Sequence, residues 1–274
     1  MADFEKNIEE IDDGTGYVGY REAFNLVTEN IKTVGTEELT LAMASGRVAA
    51  QDVIAKESYP TADVSLKDGY AVISNDIENA SVRRPVSLKV TGSVYAGSKF
   101  EGKVSKGQAV KICSGARIPP GAEAVVSVEF TDEASADEVS VKADAGKGRN
   151  ILKAGGEVGA GQVIVKQGEK LLPGSLGMAA AAGLDKVIIY RRPQLAIIGV
   201  GDEVVAPGEQ LNPGQLYASN LVTMESWLTS FGISCVASVV RDVEEDIKKE
   251  LKKYLDNVDV ILTSGGAWGS ERDL

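Results

Sequence analysis

The sequence predicts a multi-domain protein, α+β in its first part and partly doubly wound α/β at its end. Two observations carry this reading. Residues 61–150 form a string of short β-branched runs broken by turn residues, as in "VSLKVTG", "AVKIC", "AVVSVEF" and "EVSVKA". After residue 190 the pattern changes to apolar run, amphipathic segment, apolar run, amphipathic segment, apolar run. That order is the mark of parallel strands joined by helical crossovers.

Along the chain, "YREAFNLVTENI" from Tyr20 places Phe24, Val27 and Ile31 on one helical stripe. A short second helix is expected over Leu41–Ser45, stopped by Gly46 as a C-cap glycine. "SYPTADVSLKDGYAV" brings proline, serine and an Asp-Gly turn signal, and opens an all-β insert, a small barrel or sandwich. "GQVIVKQGEKL" reads as a strand pair or ribbon, and "PGSLGMAAAAG" as a small helix with proline near its start. "YRRP", Tyr190 to Pro193, marks a boundary. "QLAIIGVG" is then a buried strand with a glycine-rich exit. "SNLVTMESWLTSFG" sets Leu221, Met224, Leu228 and Phe231 on one helix face and stops at Gly232. "ISCVASVV" is a second strand, and "DVEEDIKKELKKYL" a helix striped by Val243, Ile247, Leu251 and Leu255. Asp242, with Glu245 three residues on, has the spacing of a capping box. "DVILTSGG" is the third strand.

Composition narrows the chemistry. The 274 residues carry a formal net charge of −11 and no stretch of membrane-spanning length, so neither nucleic acid nor an anionic membrane is an expected partner. There is no histidine, which excludes His-dependent triads and His-ligated zinc and leaves proton chemistry to carboxylates, lysines and water. The acidic N-terminus lacks a signal-peptide layout, and Cys113 and Cys235 lack metal-ligand spacing. A cytoplasmic protein with reduced core cysteines is expected.

In parallel sheets of this kind ligands bind beyond the carboxyl ends of the strands. The first strand is followed by Asp202 and Glu203, the second by Arg241 and Asp242, and the third by "SGGAWGSERD", which ends at Asp273. Each feature has a plain alternative. Asp242 is an obvious helix cap, though a cap can also hold a metal. Glu203 alone reads as a solvated loop acid, Ser264-Gly265-Gly266 alone as a flexible turn, and "GVGD" lacks the third glycine of a dinucleotide fingerprint. Convergence on one sheet edge favours a phosphorylated ligand, with Mg²⁺ between its oxygens and the acids.

The ordered segments "SLKDGYAV", "KICSGARIPPGAEAVV", "GRNILKAGGEVGAGQ", "LLPGSLGMAAAAG", "RRPQLAIIGVGDEVV", "PGEQLNPGQLYASN" and "DVILTSGGAWGSERD" resemble the molybdopterin molybdenumtransferase family. This is the MoeA family, which includes the E domain of gephyrin, and the likeness runs from about residue 20 to the end. The resemblance implies an elongated αβ dimerisation domain over 1–60 and 151–190, the inserted β domain over 61–150, and the N-terminal part of a molybdopterin-binding α/β domain over 191–274. It implies a homodimer with a cleft shared between subunits. The implied reaction inserts molybdenum, or the chemically similar tungsten, from molybdate into adenylylated molybdopterin, with Mg²⁺-dependent release of AMP. The molybdopterin adenylyltransferase is a further partner it admits.

By the family's motifs, the D-G-Y-A aspartate falls on Asp68, the hydroxyl of T-G-A-x-x-P on Ser114, the acid of G-D-E on Glu203, and two strand-end aspartates on Asp242 and Asp273. The expected catalytic set is Asp242, Asp273, Glu203 and Asp68, with Asp242 and Asp273 holding Mg²⁺. Ser264, Gly265, Gly266, Ser114, Glu157 and Asp202 are expected to bind substrate. The chain also departs from the family. Gly156 stands for a glutamate and Glu157 for an aspartate, Val200 replaces a hydroxyl residue, and Trp268 sits where a small serine is usual. The family continues past the Asp273 position into a lysine-bearing segment and a final β domain, so this chain is expected to be C-terminally truncated. Two rival readings stay open: a non-catalytic molybdopterin-binding or dimeric scaffold fragment, with Arg241 and Arg272 as the nearby cations, and an unrelated sugar- or nucleotide-binding α/β protein.

Overall fold

The computed structural model of the chain describes residues 18–135 and 137–265. These fall into two compact units, one of residues 38–189 and one made of 18–37 with 190–265.

The unit of residues 38–189 is built around a six-stranded curled sheet. Its strands lie in the order Ala124–Ser127, Gly69–Val72, Gln108–Ile112, Val86–Val94, Glu138–Val141, Thr131–Ser135. Neighbours run antiparallel, except that Val86–Val94 lies parallel to Gln108–Ile112 with a register shift between Val90 and Ser93. The alternation legible in these runs does not separate core from water here. Tyr70, Val72, Leu88, Ala109, Ala124, Val126, Val139 and Val141 pack into one core. Ala71, Val94, Val110, Ile112 and Val125 pack into a second one on the opposite face. Every residue of Gly69–Val72 and of Ala124–Ser127 is therefore buried, as expected for strands covered on both sides.

Around that sheet, short pairs join early and late parts of the unit. Val53–Ile54 runs antiparallel to Val163–Val165, and Val64–Ser65 to Ile151–Leu152. "GQVIVKQGEKL" is thus a single strand with a distant partner rather than a local ribbon. Helix α2, Pro173–Ala181, has its proline in the first turn. Through Leu176 and Ala179 it joins a core with Ala44, Ala49, Leu171, Val187 and Ile189. The expected helix at Leu41–Ser45 is only a 3₁₀ turn, Leu41–Met43, because the Gly46 N–H bonds across to Leu171 O at 2.9 Å and Gly46 takes φ +76°.

In the second unit, α1 is Tyr20–Asn30, and it buries none of its residues. Its stripe is present as read, but Phe24, Val27 and Ile31 are all exposed. Three parallel strands follow: Leu195–Val200 in the centre, Cys235–Val240 on one side and Val260–Ser264 on the other. Helices α3, Ser219–Ser230, and α4, Glu244–Tyr254, cover opposite faces. Ile197 packs with Leu221, Met224 and Leu228 from α3, while Ala196, Ile198 and Val200 pack with Ile247, Leu251 and Tyr254 from α4. This is the doubly wound arrangement expected. Three residues assigned to the helix stripes are instead exposed: Phe231 caps the C-terminus of α3, Val243 precedes α4, and Leu255 follows it.

At the amino edge of this sheet, Arg191 grips Asp259 with both guanidinium arms, at 3.0 and 2.7 Å, and also reaches Val34 O at 3.1 Å. Asp259 takes a further bond from the Gln194 N–H at 2.7 Å. The guanidinium, and then that amide, hold the Asp259 carboxyl below its ordinary value of 3.8. A carboxyl lowered in the folded state stabilises the fold above its unfolded pKa, and that stabilisation disappears as pH falls through the folded value. Asp259→Asn is therefore expected to lower the thermal midpoint at pH 7. The gap to the parent should close below the ordinary value of 3.8. Melting curves of both proteins between neutral and strongly acidic pH check this, and a gap that persists in acid would show the clamp to be non-ionic.

Candidate functional site

The α/β unit puts its candidate residues at the carboxyl edge of the sheet. Val200 lies level with Val240, so Asp202 and Asp242 both stand two residues beyond paired positions. On the other side Gly199 lies level with Ser264, which brings Gly265 level with Val200. Gly265 has φ +103°, and a Cβ there would come within 2.4 Å of Val200 O. Glycine is thus required twice at this strand exit, by the left-handed backbone and by the close approach. Gly199 admits α3, since a Cβ would meet Leu221 at 3.2 Å.

Beyond the edge lies a cleft of ≈ 360 Å³, lined among others by Asp202, Val205, Glu209, Gln215, Val240 and Arg241. Val204 and Val205 on its wall belong to a short strand that pairs in parallel with Leu216–Tyr217. Tyr217 Oη donates to Glu209 O at 3.0 Å and closes the intervening loop. Arg241 donates from Nε to Asp246 Oδ2 at 2.9 Å, and its terminal nitrogen reaches the same oxygen at 2.6 Å.

Asp242 does not cap α4, contrary to the sequence reading. The Val243 N–H turns back to Arg241 O at 2.8 Å, and the first helical bond runs from Ile247 N to Val243 O at 3.0 Å. Val243 therefore occupies the N-cap position, without a side-chain cap bond, and the capping box between Asp242 and Glu245 does not form. Three acids, Glu244, Glu245 and Asp246, still sit in the first turn, where the helix dipole favours them. Asp242 is left half-buried beside Arg241, with no hydrogen-bond partner among the described residues. Glu203 is exposed and folds its carboxylate back over Gly201, where a Cβ would meet it at 2.7 Å. Gly266, Trp268, Arg272 and Asp273 lie outside the described residues. Among the described residues no group of three or more carboxylates or thiols is arranged to hold a metal ion.

In the other unit the sheet joins two candidates that are far apart in sequence. Asp68 Oδ1 accepts the Ser114 N–H at 2.8 Å and the Ser114 hydroxyl at 3.2 Å. Asp68 leads into the strand Gly69–Val72, Ser114 follows Gln108–Ile112, and the two strands pair with Gly69 opposite Ile112. Both side chains are exposed, so the pair can meet a ligand. Glu157 stands on a separate loop. Its N–H reaches Tyr59 O at 3.1 Å, and its side chain is exposed. That loop is anchored by Asp63, which accepts Lys153 Nζ at 2.7 Å and the Ala154 N–H at 2.9 Å; the lysine and then the amide lower its pKa. A Cβ on Gly156 would lie 2.9 Å from Lys153 O, so the loop as folded takes glycine where the resembling family carries glutamate.

Comparison with known proteins now decides the relationship. The family described as "MoeA N-terminal region (domain I and II)" matches residues 18–183. The chain belongs to the MoeA family. A second family, "Probable molybdopterin binding domain", matches residues 196–274, the stretch that contains the parallel sheet. The chain is similar to molybdopterin molybdenumtransferase 2 of Mycobacterium tuberculosis, 34% identical over 242 residues, which are 88% of this chain and 60% of that protein. It is similar to the molybdopterin molybdenumtransferase of Haemophilus influenzae, 31% identical over 239 residues, 87% of this chain and 58% of that one. A MoeA crystal structure from Pyrococcus horikoshii OT3 superposes with a TM-score of 0.81 at 32% identity, covering 90% of this chain and 66% of that one. This MoeA chain thus spans about 60% of the length of the curated relatives it matches. The MoeA assignment fits the multi-domain fold. Among the described residues no helix is long and apolar enough to cross a membrane.

Two features of the site escaped the sequence reading. Asp246 carries no signal in the sequence: it stands five residues beyond Arg241 and binds it only once the turn before α4 is made. The cleft wall at Val204–Val205 gave no signal, because two-residue strands such as this one and its partner Leu216–Tyr217 are too short to show a period.

Proposed function

We propose that this chain carries out the molybdenum-insertion step of molybdenum cofactor biosynthesis. Molybdate, or tungstate, is the metal donor, adenylylated molybdopterin is the acceptor, and AMP is released. The observation that carries the reading is the level placement of Asp202 and Asp242 beyond two neighbouring strands of a domain matched as molybdopterin-binding. The names of the relatives supply the transfer of molybdenum to molybdopterin, and the family resemblance implies the adenylylated acceptor and the release of AMP.

The donor set fits Mg²⁺. Asp242 is half-buried, is freed from capping duty and has no protein partner among the described residues. Mg²⁺ needs only one or two carboxylates when substrate phosphate and water complete its shell. Asp242 and, as the family resemblance implies, Asp273 would hold it. When bound, it supplies positive charge to the phosphate oxygens of the adenylate. Gly265, in its left-handed conformation at the strand exit, suits a main-chain turn whose N–H groups meet the phosphate. Glu203 adds negative charge at the first strand's exit, which favours a cation there. Asp68 fixes the Ser114 hydroxyl and amide in one orientation, ready to meet a polar group of the substrate.

A second reading is favoured by one observation. Helix α1 exposes Tyr20, Phe24, Val27 and Ile31 along one face, with Tyr20 and Phe24 stacked at 6.4 Å. Such a stripe suits a homodimer contact, so a dimeric molybdopterin-binding scaffold is the alternative. Molybdate-dependent AMP release from adenylylated molybdopterin, measured anaerobically with and without Mg²⁺, separates the two. Release that needs both ions supports the enzyme. A folded protein that holds molybdopterin but releases no AMP would establish the scaffold instead.

A further inference from the structure

Asp68, Ser114 and Glu157 come from three distant parts of the chain, yet one short strap, residues 59–68, holds all three. On one side the Ile118 N–H bonds to Asp63 O at 3.0 Å, the Ser65 N–H to Ala116 O at 2.9 Å and the Gly115 N–H to Ser65 O at 2.8 Å. On the other, Val64–Ser65 pairs with Ile151–Leu152, and the Leu66 N–H reaches Asn150 O at 2.9 Å. The start of the strap carries the Glu157 loop, with the Gly155 N–H on Pro60 O at 2.8 Å and the Glu157 N–H on Tyr59 O at 3.1 Å. Its exit toward Asp68 is fixed by the buried Ser65, whose hydroxyl donates to Lys67 O at 2.6 Å. From Tyr59 to Ser65 the chain covers at most about 20 Å. That is within the reach of a ring system joined to a nucleotide through phosphates.

We propose that Asp63 is a positioning residue for substrate binding, setting through the Ala154 N–H where Glu157 stands relative to the Asp68–Ser114 pair. The proposal rests on the reading of those three residues as substrate contacts. Asp63 stands where the two sides of the strap meet. Its main-chain carbonyl takes the Ile118 N–H, on the segment that follows Ser114, and its carboxylate takes the Ala154 N–H and Lys153 Nζ, on the loop that leads to Glu157. Among the described residues it is the one side chain of the strap that bonds to residues 153–158. Stability does not account for this contact. The Asp63 side chain is 38% exposed and that of Lys153 65%, and exposed pairs contribute little to the fold. Both residues line an open cleft of ≈ 460 Å³, so no core packing depends on them. What the two oxygens do is fix an angle. Oδ2 is held by the lysine, which aims Oδ1 at the Ala154 amide, and the amide places the turn that ends at Glu157.

The test is a double-mutant cycle on the whole chain, read as the Kd of adenylylated molybdopterin in anaerobic ultrafiltration without molybdate, so that no turnover is needed. Asp63→Ala is expected to weaken binding about tenfold, since a small misplacement of a contact costs up to about 10²-fold. In a Glu157→Gln background the same change should cost less than about twofold, because the residue through which it acts is already altered. Asp63→Asn keeps an acceptor for the Ala154 N–H and should stay within about threefold of the parent. Lys153→Met frees one carboxylate oxygen and leaves the amide bond, so it repeats the cycle with a smaller loss should Asp63→Ala fail to fold. With molybdate present, the loss should fall on KM rather than kcat. Equal losses in the two backgrounds, an Asp63→Asn protein as weak as Asp63→Ala, or a fall in kcat alone would each overturn the assignment. A parent chain that binds no adenylylated molybdopterin overturns both this inference and the reading it rests on. Coupling in Kd without AMP release removes only the proposed reaction, and AMP release with additive losses removes only this inference.

Discussion

Asp242→Ala is expected to lower molybdate-dependent AMP release by about 10²-fold or more, the scale seen when one electrostatic group is removed from a site that stabilises developing charge. Stability should hardly move. A true aspartate N-cap replaced by alanine costs about 1 kcal/mol. Here Asp242 makes no cap bond, and Val243 takes the cap position. The change should therefore stay within about 0.5 kcal/mol, as for surface positions without a structural duty. Denaturant curves and turnover on the same preparation test both halves. Lost turnover with an unchanged curve assigns Asp242 to chemistry, while a large loss of stability would mean that the capping box forms in solution. Unchanged turnover would remove Asp242 from the site. If Asp242 acts on the transition state, the fall should appear in kcat more than in KM.

The contrast between expectation and structure at Asp242 shows what a sequence can carry. The three apolar runs and two helix stripes after residue 190 gave the parallel unit and its carboxyl edge, because burial on both faces writes itself into composition. The cap was misread because the D-x-x-E spacing is satisfied on paper, whereas the turn at Arg241–Val243 moves the helix start one residue on. No local pattern states where a chain makes that turn. Asp68 and Ser114 lie 46 residues apart and meet only because their strands pair in register. Periodicity fixes neither partner nor register, so this pair was legible through the family motifs alone. In the β insert the short runs were read as strands, but which residues share a core was not legible: Ala71, Val110 and Val125 alternate into a second core. The Arg241–Asp246 pair has no motif to show it, since a separation of five across the start of a helix matches neither helical nor strand spacing.

Gly69→Ala is expected to be the most damaging glycine-to-alanine change among the described residues. A Cβ at Gly69 would lie 1.9 Å from Val126 O, 2.8 Å from the carbonyl carbon behind it and 3.0 Å from Ser127 Cα. These are backbone atoms of a paired strand, with Gly69 opposite Ser127 on one side and Ile112 on the other. A rotamer change cannot relieve the contact, so the strand itself has to move. Overpacking of a tight core costs about 1–3 kcal/mol when side chains can adjust. With main chain on both sides the expected cost is at or above about 3 kcal/mol. The damage should stay local in its spectroscopic signature. Of the two tryptophans, Trp227 lies on α3 and reports the α/β part rather than the β sheet; the experiment is run in a Trp268→Phe background, so that Trp227 alone gives the signal. Urea unfolding followed by far-UV circular dichroism should show an early loss of sheet signal, while the tryptophan transition stays near that of the parent. Coincident transitions shifted together would show that the two units unfold as one. An unshifted pair would show that the chain tolerates the methyl, and that the approach of Gly69 to Val126 is not required. Function follows from the same geometry. Gly69 is bonded to Asp68, and the Asp68–Ser114 contact depends on Gly69 facing Ile112. A strand displaced by a methyl takes that contact with it, so turnover should fall in any Gly69→Ala protein that still folds.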